Sequence, residues 1–177
     1  MKRLIILRII IRKNTLKYME IAIIYDIKKE YIKAVEGYTT LIRNNDTIPD
    51  YYINLSFLYW SFAFELYEFI TPNNIPEYWI KKGGDEFLKI LDLGIEKYPK
   101  DIELHFWRKY FLHISYAEDF TEEECVNLFN LYGHKNKIPY FFLYQYDNIR
   151  YKKQRDELLQ IIKGKKTAKN LYVESLL

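Results

Sequence analysis

The sequence predicts an all-α protein in which antiparallel helix hairpins stack as a short solenoid of about eight or nine helices. Three observations lead there. Apolar residues recur at steps of three, four and seven along most of the chain, the spacing of amphipathic helices. Only 6 Gly and 5 Pro occur in 177 residues, too few for a many-stranded sheet protein with tight turns. One four-residue helical pattern also returns after 34 residues. The length suits one domain, 1–177, and no linker-like stretch divides it.

Residues 1–13 alternate basic groups with Leu4-Ile5-Ile6-Leu7 and Ile9-Ile10-Ile11. Arg8 splits the apolar run, no small-residue cleavage site follows, and the apolar length falls short of a membrane span. A capping helix or short strand over the first hairpin is expected, with a membrane-surface helix as the alternative. The hairpin itself covers residues 18–45. Its first stripe is Tyr18, Ile21, Ala22 and Tyr25, and polar Asp26, Lys28, Lys29 and Glu30 interrupt it. The second stripe is Tyr31, Ala34, Val35, Tyr38, Leu41 and Ile42, ended by Arg43-Asn44-Asn45-Asp46, whose short polar side chains favour a turn. Ala22 and Ala34 leave room for two helices to approach closely.

Tyr52, Leu55, Ser56 and Tyr59 repeat the first stripe 34 residues later, in a helix that starts after Ile48-Pro49-Asp50, with Pro near the helix start. This helix is expected to run on to Phe69 before the loop Thr71-Pro72-Asn73-Asn74-Ile75-Pro76. Its partner is expected to begin near Gly83-Gly84 with Asp85 as cap, and carries Phe87, Leu91, Gly94 and Pro99. These four lie 53 residues beyond Ala34, Tyr38, Leu41 and Asp46, so the second hairpin, residues 50–99, holds an insertion at about 65–82.

The pattern resembles a tetratricopeptide repeat, a helix hairpin of 34-residue period. Tyr18, Ile21, Ala22 and Tyr25 match the family's first helix, with Ala in place of the usual Gly. Ala34 and Tyr38 match the second helix. Leu41 is larger than usual, Asp46 replaces the closing Pro, and Phe87 stands where a small residue is usual. The resemblance implies a stack of hairpins that binds another protein or peptide along the inward residues of the first helices. By register those are Met19, Ile23 and Asp26, then Ile53, Phe57 and Trp60, with Asn54 nearby. The family's best-known peptide clamp grips a terminal carboxylate with Lys, Asn and Arg. Apolar residues stand here instead, which favours an apolar peptide or helix as ligand.

Beyond Pro99 the match loosens, and residues 102–133 and 138–163 read as degenerate repeats. Leu104, Trp107, Phe111 and Ile114 share a stripe. Thr121 and Glu124 form a capping box before Cys125, Leu128, Phe129 and Tyr132, and Gly133 closes that helix. Pro139 opens an aromatic segment from Tyr140 to Tyr151. A basic amphipathic helix follows, and residues 167–177 are expected to cap the domain.

Chemistry is sparse. His105 and His113 have no carboxylate or Cys at metal-ligand spacing, and His134 is a third, isolated histidine. Cys125, the one cysteine, sits on an apolar stripe and reads as a small core residue; a single thiol also excludes an internal disulfide and suits a cytoplasmic setting. Gly83-Gly84 lacks the rest of any phosphate-loop motif. Glu122-Glu123-Glu124 suits the field at a helix N-terminus. No enzyme activity, metal or cofactor is therefore expected.

Charge is unevenly placed: residues 1–20 and 150–177 each carry +5, which leaves −7 for the middle of a chain whose total is +3. The acidic middle suits a basic partner, through steering more than affinity. The expected function is a non-catalytic protein-interaction module. One form is a small bacterial immunity-type partner that blocks a toxin or enzyme, although no residue singles that out. The inserted segment, with Tyr78 and Trp79, is a second candidate contact surface. The alternative function is a nucleic-acid-associated regulator using the basic ends, where Lys163, Lys165, Lys166 and Lys169 cluster.

Overall fold

A computed structural model describes residues 21–45 and 47–177. Tyr18, Met19, the basic–apolar segment 1–13 and Asp46 lie outside the described residues. Every regular element described is helical, and no strand occurs among these residues. Residues 21–27 belong to α1, which is followed by α2 (Tyr31–Arg43) and α3 (Pro49–Phe64). A π-helical segment, Leu66–Ile70, leads to the long α4 (Glu77–Lys97). The rest comprises α5 (Ile102–Tyr116), α6 (Glu122–Tyr132), α7 (Tyr140–Tyr146), α8 (Lys152–Ile162) and α9 (Ala168–Ser175).

Side-chain pairs give the helix directions. Tyr52 meets Gly94, Ser56 donates to the Phe87 carbonyl at 2.7 Å, and Gly83 packs on the Tyr59 carbonyl. Rising numbers on α3 meet falling numbers on α4, so the two are antiparallel. The same holds for α4 and α5, through Gly94 with Leu104, Asp92 with Arg108 at 2.6 Å, and Phe87 with Phe111. By contrast α3 and α5 run parallel: Phe57 meets Trp107, and Trp60 meets Phe111 and Ser115. Along α3, α4 and α5, neighbours are thus antiparallel and next-neighbours parallel.

Small residues set the closest approaches, though not always at the expected positions. A Cβ at Gly37 would lie 2.9 Å from the Ala22 Cβ, so α1 and α2 touch at Ala22 and Gly37, with Ala34 buried nearby in sequence. A Cβ at Gly83 would lie 2.3 Å from the Tyr59 carbonyl oxygen. That contact explains why Gly83-Gly84 sits inside α4, which begins at Glu77 and gains no cap from Asp85. It also explains how bulky Phe87 is accommodated: the close approach occurs one turn earlier, and Phe87 itself is buried beside Phe111. Nor does α3 run on to Phe69. It stops at Phe64, and the chain widens into the π segment, where Phe69 turns back onto Phe62 at 5.8 Å.

Local signals account for the other ends. Asp101 accepts from the amides of Glu103 and Leu104 to cap α5. Thr121 and Glu124 form the reciprocal box that opens α6. Gly133 closes α6 at φ +89°, a conformation glycine adopts without strain. Asp147 accepts from the amides of Ile149 and Arg150 and ends α7 early. The core is strongly aromatic, with Phe57, Trp60, Trp107 and Phe111 in mutual contact and Phe120 stacked on Phe142 at 4.5 Å. Among the described residues no helix is long and apolar enough to cross a membrane.

Candidate functional site

Three of the described inward register positions, Asp26, Phe57 and Trp60, meet the chain's own last helix. Phe57 and Trp60 on α3 contact the Tyr172 ring of α9 at 5.4 and 5.3 Å. Asp26, 1% exposed, accepts from the Ala168 amide at 2.7 Å, across 142 residues of chain. Its other oxygen accepts from the Tyr38 hydroxyl at 3.1 Å, and Asn54 donates to that same hydroxyl at 3.3 Å. Ile53, Asn54, Phe57 and Trp60 are all buried, and Ile23 is half-buried against the core. At Asp26, Phe57 and Trp60 the face expected to meet a peptide is thus covered by α9. Its apolar side chains gain more from intramolecular burial than from facing water, and sequence register alone carries no information about what lies on top.

Two charged contacts fasten α9. Burial disfavours the Asp26 carboxylate and pushes its pKa up to about 6, against the opposing pull of the Ala168 amide, the Tyr38 hydroxyl and the Lys169 ammonium. On the other side Lys169 donates to Glu103, and both are buried. Glu103 also accepts from Trp107 at 3.1 Å and Asn136 at 2.5 Å. Burial opposes the Glu103 charge, but Lys169 with these two donors holds its carboxyl below the usual range. Lys169 is likewise desolvated by burial, yet Glu103 and Asp50 hold its ammonium above the usual range. The Lys169–Glu103 pair ties α9 to α5.

The inserted segment presents the opposite picture. Leu66, Tyr67 and Tyr78 are 49%, 80% and 66% exposed. Trp79 is half-buried against Phe62 at 6.1 Å, and its ring lies 4.7 Å from the Lys82 ammonium, which is also 5.7 Å from the Tyr78 ring. The π segment explains the exposure: it turns Phe69 inward onto Phe62 while leaving Leu66 and Tyr67 outside. Tyr78 and Trp79 are singled out by their place in the insertion. Leu66 and Tyr67 are additional members of this surface, concealed in the sequence by a periodicity that continues smoothly from α3.

The remaining reactive groups have packing or capping roles. The Cys125 thiol is buried, which pushes its pKa up, and it lies 3.8 Å from the Pro139 carbonyl. His105 stacks on Tyr132 at 4.3 Å, His134 stacks on Phe129 at 5.0 Å, and His113 bonds the Glu118 carbonyl at 2.7 Å where α5 ends. Glu122 in the acidic triplet accepts from Arg150 and Tyr151. Within the basic tail Lys163 and Lys165 are exposed, whereas Lys166 pairs with Glu174 at 2.5 Å and Lys169 with Glu103. No group of three or more His, Cys, Asp or Glu side chains placed to hold a metal occurs among the described residues. No family model, no curated protein and no solved structure matches this chain, so what it does has to be argued from its own surfaces.

Proposed function

We propose that this chain is a non-catalytic protein-interaction module, organised like a short tetratricopeptide array, that meets its partner through the inserted segment. The observation that carries the reading is the clustering of exposed Leu66, Tyr67 and Tyr78 on one inserted segment, Tyr67 and Tyr78 being the most exposed of the large aromatic residues described. Tyrosines offer large contact area at small entropic cost and recur as anchors of protein interfaces. The segment 65–82 carries Glu65, Glu68 and Glu77 against Lys81 and Lys82, a net −1, and with the acidic middle of the chain this favours a basic partner through steering. The array reading is supported by the antiparallel order of α3 and α4, the parallel order of α3 and α5, and the 34-residue echo between Ala22 and Ser56.

The test is affinity purification from the native cell with the full chain and with a Tyr67→Ala/Tyr78→Ala variant, followed by mass spectrometry. A protein enriched by the parent and lost with the variant supports the reading. Absence of any enriched protein, or equal enrichment by both, removes it. The nucleic-acid alternative draws less support, because Lys166 and Lys169 are engaged within the chain. It leaves exposed Lys152, Lys153, Lys163 and Lys165 as phosphate contacts. Binding to mixed-sequence DNA or RNA that weakens steeply with salt would restore it.

A further inference from the structure

A cleft of about 720 Å³ opens between α2, the π segment and α9, within the size range of small-molecule sites. Its walls are aromatic. Tyr31 and Phe69 face each other at 4.3 Å between centroids on one side, and Phe57 and Tyr172 pair at 5.4 Å on the other. Glu65 and Glu68 also line it, and neither carboxylate forms an ion pair or side-chain hydrogen bond with the described residues. Burial raises the Glu65 pKa, and the Glu68 charge raises it further. Glu65 in turn contributes to raising the pKa of Tyr172 and Tyr110, which places its field in the aromatic part of the cleft. Among the described residues Lys29 is the one cation on the lining.

We propose that this cleft is a binding site for a small organic ammonium ion carrying an apolar body. Aromatic faces attract a cation through their quadrupole, most strongly when the cation is poorly hydrated. The apolar body gains from burial against Leu171 and Leu176. The two carboxylates, unpaired among the described residues, supply the charge that a neutral ligand of the same shape could not use, and binding relieves their mutual repulsion. The cleft borders the partner surface and shares Glu68 with it, but the exposed Leu66, Tyr67 and Tyr78 side chains are not part of its lining.

The test uses benzyltrimethylammonium chloride as probe and benzyl alcohol as its neutral counterpart, titrated into the full chain by calorimetry. Saturable one-site binding of the cation is expected, with a Kd of about 1 mM or tighter and at least about tenfold preference over the alcohol. Glu65→Gln/Glu68→Gln should weaken the cation by about tenfold or more while leaving the alcohol unchanged. Glu68 is exposed, so Glu68→Gln alone serves if the double variant melts early, with a smaller loss in the same direction. Phe69→Leu keeps an apolar wall but removes a ring, and should also weaken the cation selectively. No saturation by about 20 mM, equal affinity for cation and alcohol, or unchanged cation affinity in the charge variants would overturn the proposal.

Discussion

Replacing Asp26 by Asn separates the charge of this side chain from its shape. Burial lifts the Asp26 pKa from 3.8 to about 6, and each pH unit of such a difference is worth 1.36 kcal/mol. The folded protein therefore holds this proton more tightly than the unfolded chain. The stabilisation from protonation is complete below pH 3.8 and is lost as pH rises through about 6, a swing of about 3 kcal/mol. In Asp26→Asn that swing disappears. The amide oxygen still accepts from Ala168, while its nitrogen faces a Tyr38 hydroxyl that already accepts from Asn54, which costs about 1 kcal/mol for a compromised hydrogen bond. The variant is thus expected to be about 2 kcal/mol more stable than the parent at pH 7 and slightly less stable at pH 4. Urea denaturation followed by tryptophan fluorescence at both pH values reads this directly, and the difference between proteins cancels the other carboxylates. Equal destabilisation at both pH values would refute the reasoning. It would mean that the Ala168 amide at the start of α9, the helix field behind it and Lys169 outweigh burial, so that Asp26 is ionised and stabilising.

Lys169→Met leaves Glu103 buried without a cation and should cost about 3–5 kcal/mol. Glu103→Gln/Lys169→Met keeps an acceptor for Trp107 and should recover a large part of that loss, so a double-mutant cycle by chemical denaturation should give strong coupling; additive losses would mean the pair is not the fastening. Gly83→Ala places a Cβ against the Tyr59 carbonyl oxygen and should force α3 and α4 apart, costing about 1–3 kcal/mol in the same assay. Gly84→Ala is the control, because a Cβ there meets only the Ala63 Cβ, at 3.8 Å, and should be neutral or slightly stabilising through helix propensity.

Contacts made within a few residues of sequence were legible in the residues themselves. The Thr121–Glu124 box, the Gly133 stop, the α2 boundaries at Tyr31 and Arg43 and the last helix after Thr167 all depend on neighbours at most four positions away. Such geometry follows from propensity and backbone hydrogen bonding alone. The start of α4 was not legible, because Gly83-Gly84 reads locally as a breaker, and only the Tyr59 carbonyl on another helix explains a glycine there. The end of α3 was concealed for the converse reason: an apolar period suited to a helix continues through the π segment, and the turn becomes favourable once Phe69 packs on Phe62.

The chain alone determined the helical class, the 34-residue echo and the identity of an inward face, since periodicity specifies which side of a helix is apolar. It did not determine what that face meets. Only the folded chain brings Ala168 to Asp26, Lys169 to Glu103 and Tyr172 between Phe57 and Tyr110, and so turns part of an expected peptide groove into packed interior. Helix periodicity repeats every 3.6 residues, whereas the Asp26–Ala168 contact spans 142; nothing local in the sequence couples groups that far apart, and their pairing is decided by which arrangement buries the most apolar surface while leaving each buried charge a partner.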